Sequence, residues 1–190
     1  MSLWTRLKRK IPHWGRVVMN REIDRFLATL PVREMRAVEV SGWSHGARGW
    51  ASYEAMNAPA FDVCAPNPPE AIADIVFCEQ VLEHVPDPAR AVENLRAMLR
   101  PGGYLVLSVP FMIRVHNESS DYWRFTPAGL RLLVERAGFE VVASGDWGNR
   151  AAVIANLWVW APYVYLFQPL SRHEAVPLVV WVVARRGHAE

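Results

Sequence analysis

The pattern of apolar and polar positions between Ile72 and Val109 predicts a strand, a helix and a second strand. The apolar run 72–77 is followed by a short acidic turn, and apolar residues then recur at helical spacing as far as Arg100. Asp87 is a typical N-cap residue for this helix, and a Pro-Gly-Gly break ends it. The uncharged run 104–109 is typical of a buried strand. Together these features predict a βαβ unit with parallel strands and a right-handed crossover.

The connections that precede this unit are predicted to be short. Apolar spacing and turn residues predict a helix over 20–30 that Asn20 can cap, and a helix from Pro127 that Thr126 caps. The same signals predict strands over 37–40, 52–56, 139–144 and 176–184. Between Gly46 and Ser52 there are too few residues for a crossover helix, which takes about ten to twelve residues. Four prolines exclude a long helix over 58–70. We therefore expect the first two crossovers to be reduced to turns.

Length and composition are typical of one globular domain. The chain has 190 residues, of which 52% are hydrophobic and 21% charged, so we expect a single domain over 1–190 with one core. The two cysteines, Cys64 and Cys78, indicate no disulfide framework and favour a reducing compartment. The first residues lack the apolar centre of a secretory signal, so we expect a cytoplasmic protein.

Two stretches are candidates for contact with a partner. The arm 1–18 is basic and contains two tryptophans, and residues 1–36 hold nine Lys and Arg against three Asp and Glu. Residues 151–171 carry no charge, but prolines at 162 and 169 argue against a spanning helix. We interpret the arm as a solvated tail or a strut packed over the sheet, and the apolar stretch as a cover over a cavity or a homodimer interface. Peripheral membrane contact is the alternative for both, and we expect no nucleic-acid partner.

Two motifs resemble one known family. Val81–Pro88 (VLEHVPDP) and Leu99–Gly103 (LRPGG) resemble class I S-adenosylmethionine-dependent methyltransferases of the type-11 kind, and the resemblance extends over Ala37–Ala184. The run Asp121–Pro127 (DYWRFTP) resembles a subgroup of small bacterial members associated with glycan pathways. The resemblance implies an α/β fold with a doubly wound, mostly parallel sheet of six to seven strands and a C-terminal antiparallel strand. It also implies S-adenosyl-L-methionine as cofactor and a small-molecule or glycan hydroxyl as methyl acceptor.

The resemblance further implies a set of cofactor-binding residues. In this family the first strand ends in an acidic residue, which Glu39 matches, and alternating glycines then let the backbone approach the cofactor. Alternative interpretations are that Glu39 caps its own loop and that Asp62 is a turn residue. We expect Glu39, Ser41 and Gly42 around the methionine end, Asn57 or Asp62 at the ribose, and Cys78, Glu79 and Gln80 along the remaining edge.

The loop after the first strand departs from the family pattern. Its alternating glycine positions hold Ser41, Trp43 and His45, and we expect the Trp43 indole either to line or to fill the cofactor cavity. The ribose position at the end of the second strand holds Asn57, whose amide can hydrogen-bond two hydroxyls without charge assistance.

The acceptor site is predicted in the loop 111–125, which follows a strand at the sheet edge where ligands bind. We predict that His116 or Asp121 removes the acceptor proton and that Tyr122 and Arg124 contact the substrate. The alternative is that the aromatic residues form the core of a lid and that Arg124 pairs with Asp121.

Glu83 and His84 have three interpretations. They are a general base, a metal site together with Glu79, or residues that hold the entrance of the following helix by hydrogen bonds. We favour the third, and we expect no metal.

Three functions follow, from different classes. The leading hypothesis is an S-adenosylmethionine-dependent methyltransferase. The second is a non-catalytic module that keeps the fold but has lost cofactor binding, suggested by Trp43 and Asn57. A nicotinamide oxidoreductase is disfavoured because no G-x-G-x-x-G follows the first strand.

Overall fold

The computed structural model describes residues 13–116, 120–159, 162–163 and 168–187. The helices are α1 (Arg16–Leu27), α2 (Pro88–Met98), α3 (Pro127–Arg136) and α4 (Arg150–Trp158). The strands are β1 (Arg36–Val40), β2 (Ser52–Met56), β3 (Ala73–Glu79), β4 (Leu99–Pro110), β5 (Phe139–Trp147) and β6 (Val179–Arg186). Short 3-10 turns lie at Val32–Glu34, Gly46–Arg48 and Leu82–His84.

The described strands form one sheet in the order β2-β1-β3-β4-β6-β5. Strands β2, β1, β3 and β4 are parallel, and β6 is antiparallel to both of its neighbours. The chain runs outward from β1 to β2 on one side and continues through β3 and β4 on the other. The strand order therefore reverses between β1 and β3, and ligands bind at such a switch point in open α/β sheets. The predicted α/β fold with a C-terminal antiparallel strand is confirmed.

Helices cover both faces of the sheet, so the fold is doubly wound. On one face, side chains of α2 and α3, including Leu95 and Leu130, pack with strand residues such as Leu107. On the other face, α1 and α4 pack through Ile23 and Ala152 in a cluster that also contains strand residues. Burying one such large aliphatic side chain contributes about 2 kcal/mol, and the two layers hold the strand ends in place.

The first two crossovers lack helices, as predicted. Strand β1 reaches β2 through the single 3-10 turn Gly46–Arg48, and no residue from 57 to 72 is helical. One consequence is that β2 is a largely exposed edge strand.

Side-chain caps fix the start of two helices, as predicted. The Asp87 carboxylate accepts from the Arg90 N–H at 3.0 Å, and the Thr126 hydroxyl accepts from the Gly129 N–H at 3.0 Å. In both cases proline follows at the first helical position, where its missing N–H costs nothing.

The first helix begins earlier than predicted. We expected it to start at Asn20 with Asn20 as its cap, but α1 begins at Arg16. Trp14 and Met19 are buried against the sheet, and this packing extends the helix backward. Residues 13–18 therefore belong to the fold, which agrees for this part of the arm with a strut packed over the sheet and not with a solvated tail. Positions 1–12 of that arm lie outside the described residues.

The uncharged stretch 151–171 begins with α4. Its buried side contains Ala152 and Asn156, whereas Ile154, Leu157 and Trp158 are exposed. None of the described helices combines the length and apolarity needed to cross a membrane. Positions 160–161 and 164–167 lie outside the described residues.

Candidate active site

A cavity of about 600 Å³ opens where β1, β3 and β4 end, at the switch point of the sheet. This volume lies within the range of roughly 300–1,000 Å³ that is usual for small-molecule sites. Its polar lining comes from the start of α1, the loop after β1, the end of β3 and the segments that follow β3 and β4. The polar lining residues are His13, Arg16, Asn20, Ser44, His45, Arg48, Glu79, Gln80, His84 and His116.

The carboxylate of Glu39 holds the loop that follows β1. It accepts hydrogen bonds from the Ser44 N–H at 2.8 Å, the His45 N–H at 2.9 Å and the Tyr53 hydroxyl at 2.7 Å. Burial, followed by the contact with Glu39, raises the pKa of the Tyr53 phenol well above its usual range. The observed contacts of Glu39 are thus those of a loop cap, and its contact with cofactor stays a prediction.

Gly42 is required by this arrangement. A Cβ atom at position 42 would lie 2.3 Å from Oε1 of Glu39, so even alanine displaces the carboxylate or the loop. We expect Gly42→Ala to lower the free energy of unfolding by about 1–3 kcal/mol, as measured by urea denaturation. Gly187→Ala is the control, because a Cβ there meets nothing within 4 Å. If both variants are as stable as the wild type, the loop is not held by Glu39.

The turns after β1 and β3 have left-handed backbone conformations at residues other than glycine. Ser41 has φ +59° and Gln80 has φ +57°. Each is tied to the neighbouring strand: the Ser41 N–H donates to the Met56 carbonyl at 2.9 Å, and the Gln80 N–H to the Ser108 carbonyl at 2.8 Å. Such conformations cost about 1–3 kcal/mol and cluster at functional sites. Both lie at the switch point of the sheet.

A charged network forms one wall of the cavity. Glu79, at the end of β3, pairs with the Arg16 guanidinium and lies 3.2 Å from Nε2 of His45. The Arg48 Nε–H donates to Nδ1 of His45 at 2.9 Å, so the ring hydrogen of His45 is on Nε2, where it donates to Glu79. The His45 ring is buried and stacks on Phe77 at 3.8 Å. The position and tautomer of this imidazole are therefore determined by its neighbours.

The charge of Glu79 is stabilised by these partners. Burial raises the pKa of this carboxyl, but the hydrogen bond from His45 and the charge of Arg16 outweigh it, and the pKa lies below its usual range. The result is an ion pair of Arg16 and Glu79 within a cavity wall.

A second group lies on the acceptor side of the cavity. The Glu83 carboxylate is fully buried, and neither oxygen receives a hydrogen bond from another described residue. One ligand atom each from Glu83, His84 and His116 lie within 4.8 Å of one another. We call these three residues the EHH cluster. Burial raises the pKa of Glu83 to about 7, with Asp121 adding to the effect and Arg124 opposing it.

Asp121 positions the loop that carries His116. Its carboxylate binds Arg124 through both guanidinium Nη atoms, and it accepts from the His116 N–H at 2.7 Å. The hydrogen bond from Arg124 chiefly holds the pKa of Asp121 at about 2. Nδ1 of His116 lies 3.3 Å from the same carboxylate, and burial lowers the pKa of this imidazole. Asp121 is thus a poor proton acceptor but is suited to orienting His116.

Four other predicted residues, Asn57, Asp62, Cys78 and Tyr122, are not part of the cavity lining. Asp62 accepts from the Cys64 N–H at 2.8 Å in an exposed turn, and Asn57 is at the end of β2. Cys78 is fully buried within β3, and this burial raises the pKa of its thiol. Tyr122 is more than half exposed, and its N–H donates to the Glu83 carbonyl at 2.7 Å. Their contacts with cofactor or substrate stay predictions.

The expectation for Trp43 was wrong. Its side chain is 65% exposed and does not line the cavity, because the hydrogen bonds of Glu39 turn the next residues, Ser44 and His45, toward that space. Sequence reasoning also missed Arg16, which it placed in the basic arm, and the role of His45. The one signal for Arg16 was its position four residues before a predicted helix.

The part of the chain that forms this cavity matches a known protein family. A family model described as "Methyltransferase domain" matches residues 13–144. The chain belongs to the methyltransferase domain family. The match covers the α1 helix, the switch point and the EHH cluster, and it extends into β5.

Curated relatives align only locally with this methyltransferase domain. A ubiquinone biosynthesis O-methyltransferase of Psychrobacter arcticus is 36% identical over 83 residues, covering 35% of this chain and 32% of that protein. A protein of the same name from Coxiella burnetii is 51% identical over 35 residues, which is 15% of its length. The aligned part is thus about a third or less of these relatives.

Solved structures share the fold over most of their length. An S-adenosylmethionine-dependent methyltransferase of Mesorhizobium loti superposes with a TM-score of 0.57 at 17% identity, covering 87% of this chain and 97% of that chain. The 1,6-didemethyltoxoflavin-N1-methyltransferase of Burkholderia thailandensis, solved with 1,6-didemethyltoxoflavin and S-adenosylhomocysteine bound, gives a TM-score of 0.59 at 16% identity, covering 98% and 81%. At such identities the likeness is one of fold.

Proposed function

We propose that this protein is an S-adenosylmethionine-dependent methyltransferase that methylates a hydroxyl oxygen of a small molecule or glycan. The observation that carries the proposal is the arrangement of the cavity at the switch point. One wall has the Arg16–Glu79 ion pair, and another has the EHH cluster. The ion pair suits the charged amino acid end of the cofactor, and the EHH cluster suits an acceptor hydroxyl that must lose its proton.

The cavity residues fit the cofactor. The methionine end of S-adenosylmethionine carries a carboxylate and an ammonium group, and Arg16 and Glu79 present the complementary charges side by side. On binding, each residue exchanges part of its pairing for a ligand group of opposite charge. Bound there, the cofactor supplies a methyl group on a sulfonium sulfur, which is already electrophilic.

The protein's task is alignment and proton removal. A bond forms between the acceptor oxygen and the methyl carbon while the carbon–sulfur bond breaks, and the electron pair of that bond neutralises the sulfonium. Holding oxygen, carbon and sulfur in line accounts for several kcal/mol of the barrier. The acceptor hydroxyl also loses a proton, and we assign its removal to the EHH cluster. His116 lines the cavity and lies beside Asp121, which orients it.

Calorimetric titration with S-adenosylhomocysteine tests the cofactor proposal. We expect one binding site per chain, and mass spectrometry of the gently purified protein to detect co-purified cofactor. No heat at millimolar ligand would favour the second hypothesis, a methyltransferase fold that has lost cofactor binding. The exposed position of Trp43 removes one of the two reasons for that hypothesis, and Asn57 remains the other.

Replacing His116 tests the assignment of proton removal. With a hydroxyl acceptor selected from a panel of sugars and phenols, we expect His116→Ala to reduce turnover about a hundredfold or more, because general-base catalysis contributes 10²–10⁴. The dissociation constant of S-adenosylhomocysteine should change by less than threefold. Equal losses in turnover and in cofactor affinity would contradict the assignment.

We also propose that the exposed side of α4 rests on an anionic membrane surface. Trp158 is 79% exposed, and Ile154 and Leu157 are exposed beside it. Nε2 of His13 lies 2.6 Å from Oδ1 of Asn156 in α4, so the basic stretch that precedes His13 joins the fold next to this apolar surface. Apolar side chains beside basic residues favour a negatively charged lipid surface.

Sedimentation with vesicles tests the membrane proposal. We expect Trp158→Ser to weaken binding to phosphatidylglycerol vesicles by at least about tenfold, the effect of losing one buried large side chain. Leu132→Ser is the matched control, since Leu132 is exposed on α3 on the opposite face of the sheet. No binding by the wild type would contradict the proposal, and a concentration-dependent dimer lost in Trp158→Ser would assign the surface to a homodimer.

A further inference from the structure

Among the described residues, the buried carboxylate of Glu83 has no hydrogen-bond partner that explains its burial. It lies in the 3-10 turn Leu82–His84, fully covered, and neither oxygen accepts a hydrogen bond from another described residue. The nearby guanidinium of Arg124 is engaged by both oxygens of Asp121. A carboxylate in such surroundings costs several kcal/mol unless a cation or donors compensate it.

Two imidazoles lie beside this carboxylate, and Nδ1 of each faces an oxygen acceptor of a neighbouring residue. Nδ1 of His84 is 2.7 Å from the Ser120 carbonyl, which only accepts, so the hydrogen of His84 is on Nδ1. Nε2 of His84 therefore carries a lone pair, and it lies 3.8 Å from Oε1 of Glu83. His116 in turn has Nδ1 3.3 Å from Asp121. Imidazoles that bind metals usually have one nitrogen oriented in this way by a carbonyl or carboxylate.

We propose that Glu83, His84 and His116 bind a divalent transition-metal cation, with zinc or manganese as the chemical type. The ligand atoms of the three residues lie within 4.8 Å of one another, close enough to surround one ion. Two imidazoles and one carboxylate suit zinc and its neighbours, whereas calcium and magnesium prefer oxygen ligands alone. His84 and His116 line the cavity, so the remaining coordination positions face the space for the acceptor.

The role of the cation rests on the proposed function, but its binding does not. A cation at this position coordinates the acceptor hydroxyl and lowers its pKa, so that the proton leaves to solvent. The oxygen then forms its bond to the methyl carbon while the carbon–sulfur bond breaks, and the metal keeps its oxidation state. When the cation is bound, His116 is one of its ligands. The acceptor hydroxyl then loses its proton because it is bound to the cation, and His116 does not act as the base.

Metal titration of the full chain, without an affinity tag and after dialysis against chelator, tests the site. We expect one Co²⁺ per chain with a visible absorption band typical of mixed nitrogen and oxygen ligands, and displacement by Zn²⁺. His84→Ala and His116→Ala should each weaken Zn²⁺ binding by at least about tenfold. Glu83→Gln should weaken it to a similar degree, and it leaves a side chain of almost the same size in place. His173→Ala and Glu93→Gln are the controls, because both residues are exposed and outside the cluster.

Each outcome distinguishes this proposal from the function proposed above. Circular dichroism and thermal unfolding establish that each variant is folded; if an alanine variant does not fold, Glu83→Gln and His84→Gln take its place. No Co²⁺ band at millimolar metal, or equal Zn²⁺ affinity in cluster and control variants, overturns the metal site. If S-adenosylhomocysteine still binds in that case, the methyltransferase proposal is unaffected. Metal binding without S-adenosylhomocysteine binding would support the metal site and contradict the methyltransferase proposal.

Discussion

Replacing Arg16 by methionine is expected to weaken the binding of S-adenosylhomocysteine by at least about tenfold. Truncating one member of a buried charge pair costs about 2–5 kcal/mol, and the cost is lower here because the Arg16 side chain is partly exposed. Arg16 and Glu79 form the ion pair in the cavity wall, and they are the charges we assign to the carboxylate and ammonium of the ligand. Methionine retains most of the length and apolar volume of the arginine stem. The measurement is calorimetric titration at constant ionic strength.

The same change on the opposite side of α1 provides the matched control. Arg21 lies in the same helix but is exposed, so Arg21→Met should bind S-adenosylhomocysteine within about twofold of the wild type. Glu79→Gln should also weaken binding, and the double variant Arg16→Met/Glu79→Gln should be weaker than either. An unchanged dissociation constant in folded Arg16→Met would mean that the amino acid end of the ligand lies elsewhere.

The parts of the fold that sequence predicts well are those decided by local rules. The βαβ unit around α2 follows from apolar spacing, and the caps at Asp87 and Thr126 follow from residue type and the proline after each. The missing crossover helices follow from too few residues and too many prolines. Each prediction depends on contacts between residues close in the sequence.

The cavity walls are decided by contacts between distant residues. Arg16 meets Glu79 across 63 positions, and no local pattern indicates that these two residues pair. The direction of His45 and Trp43 depends on which backbone N–H groups reach the Glu39 carboxylate. For this reason the sequence predicted the sheet edge at which the cavity opens, and its candidates included the lining residues Glu79, Gln80 and His116. It did not include Arg16, and it placed Trp43 at a cavity that this residue does not line.

The EHH cluster shows the same limit. Residue types alone left Glu83 and His84 open to three interpretations, and the hydrogen-bonding one was favoured. The structure supports it for His84, which lies against the Ser120 carbonyl, but no other residue in the described part of the chain donates to either Glu83 oxygen. Whether a buried carboxylate is satisfied depends on the loop after β4, which folds back over the turn that follows β3.

Replacing Glu83 by glutamine is expected to change how stability depends on pH. Burial raises the pKa of Glu83 from 4.5 to about 7, and the charge of Asp121 raises it further, whereas the charges of Arg124 and Arg16 lower it. Nε2 of His84 also faces this carboxylate, at 3.8 Å from Oε1. The unfolded chain therefore loses this proton near pH 4.5, whereas the native state keeps it until about pH 7. Between those values the native state binds more protons, so this carboxyl makes stability fall as pH rises.

Glutamine removes that contribution at every pH. Relative to the wild type, Glu83→Gln should therefore be more favourable at pH 8 than at pH 5 by on the order of 2–3 kcal/mol. Urea unfolding at both pH values, with chelator present, measures this difference, and any constant effect of burying an amide cancels in it. Glu93→Gln, an exposed position, should show no such difference. If the two variants depend on pH in the same way, Glu83 ionises as an ordinary carboxyl and its burial is compensated by a donor or cation that remains bound in chelator.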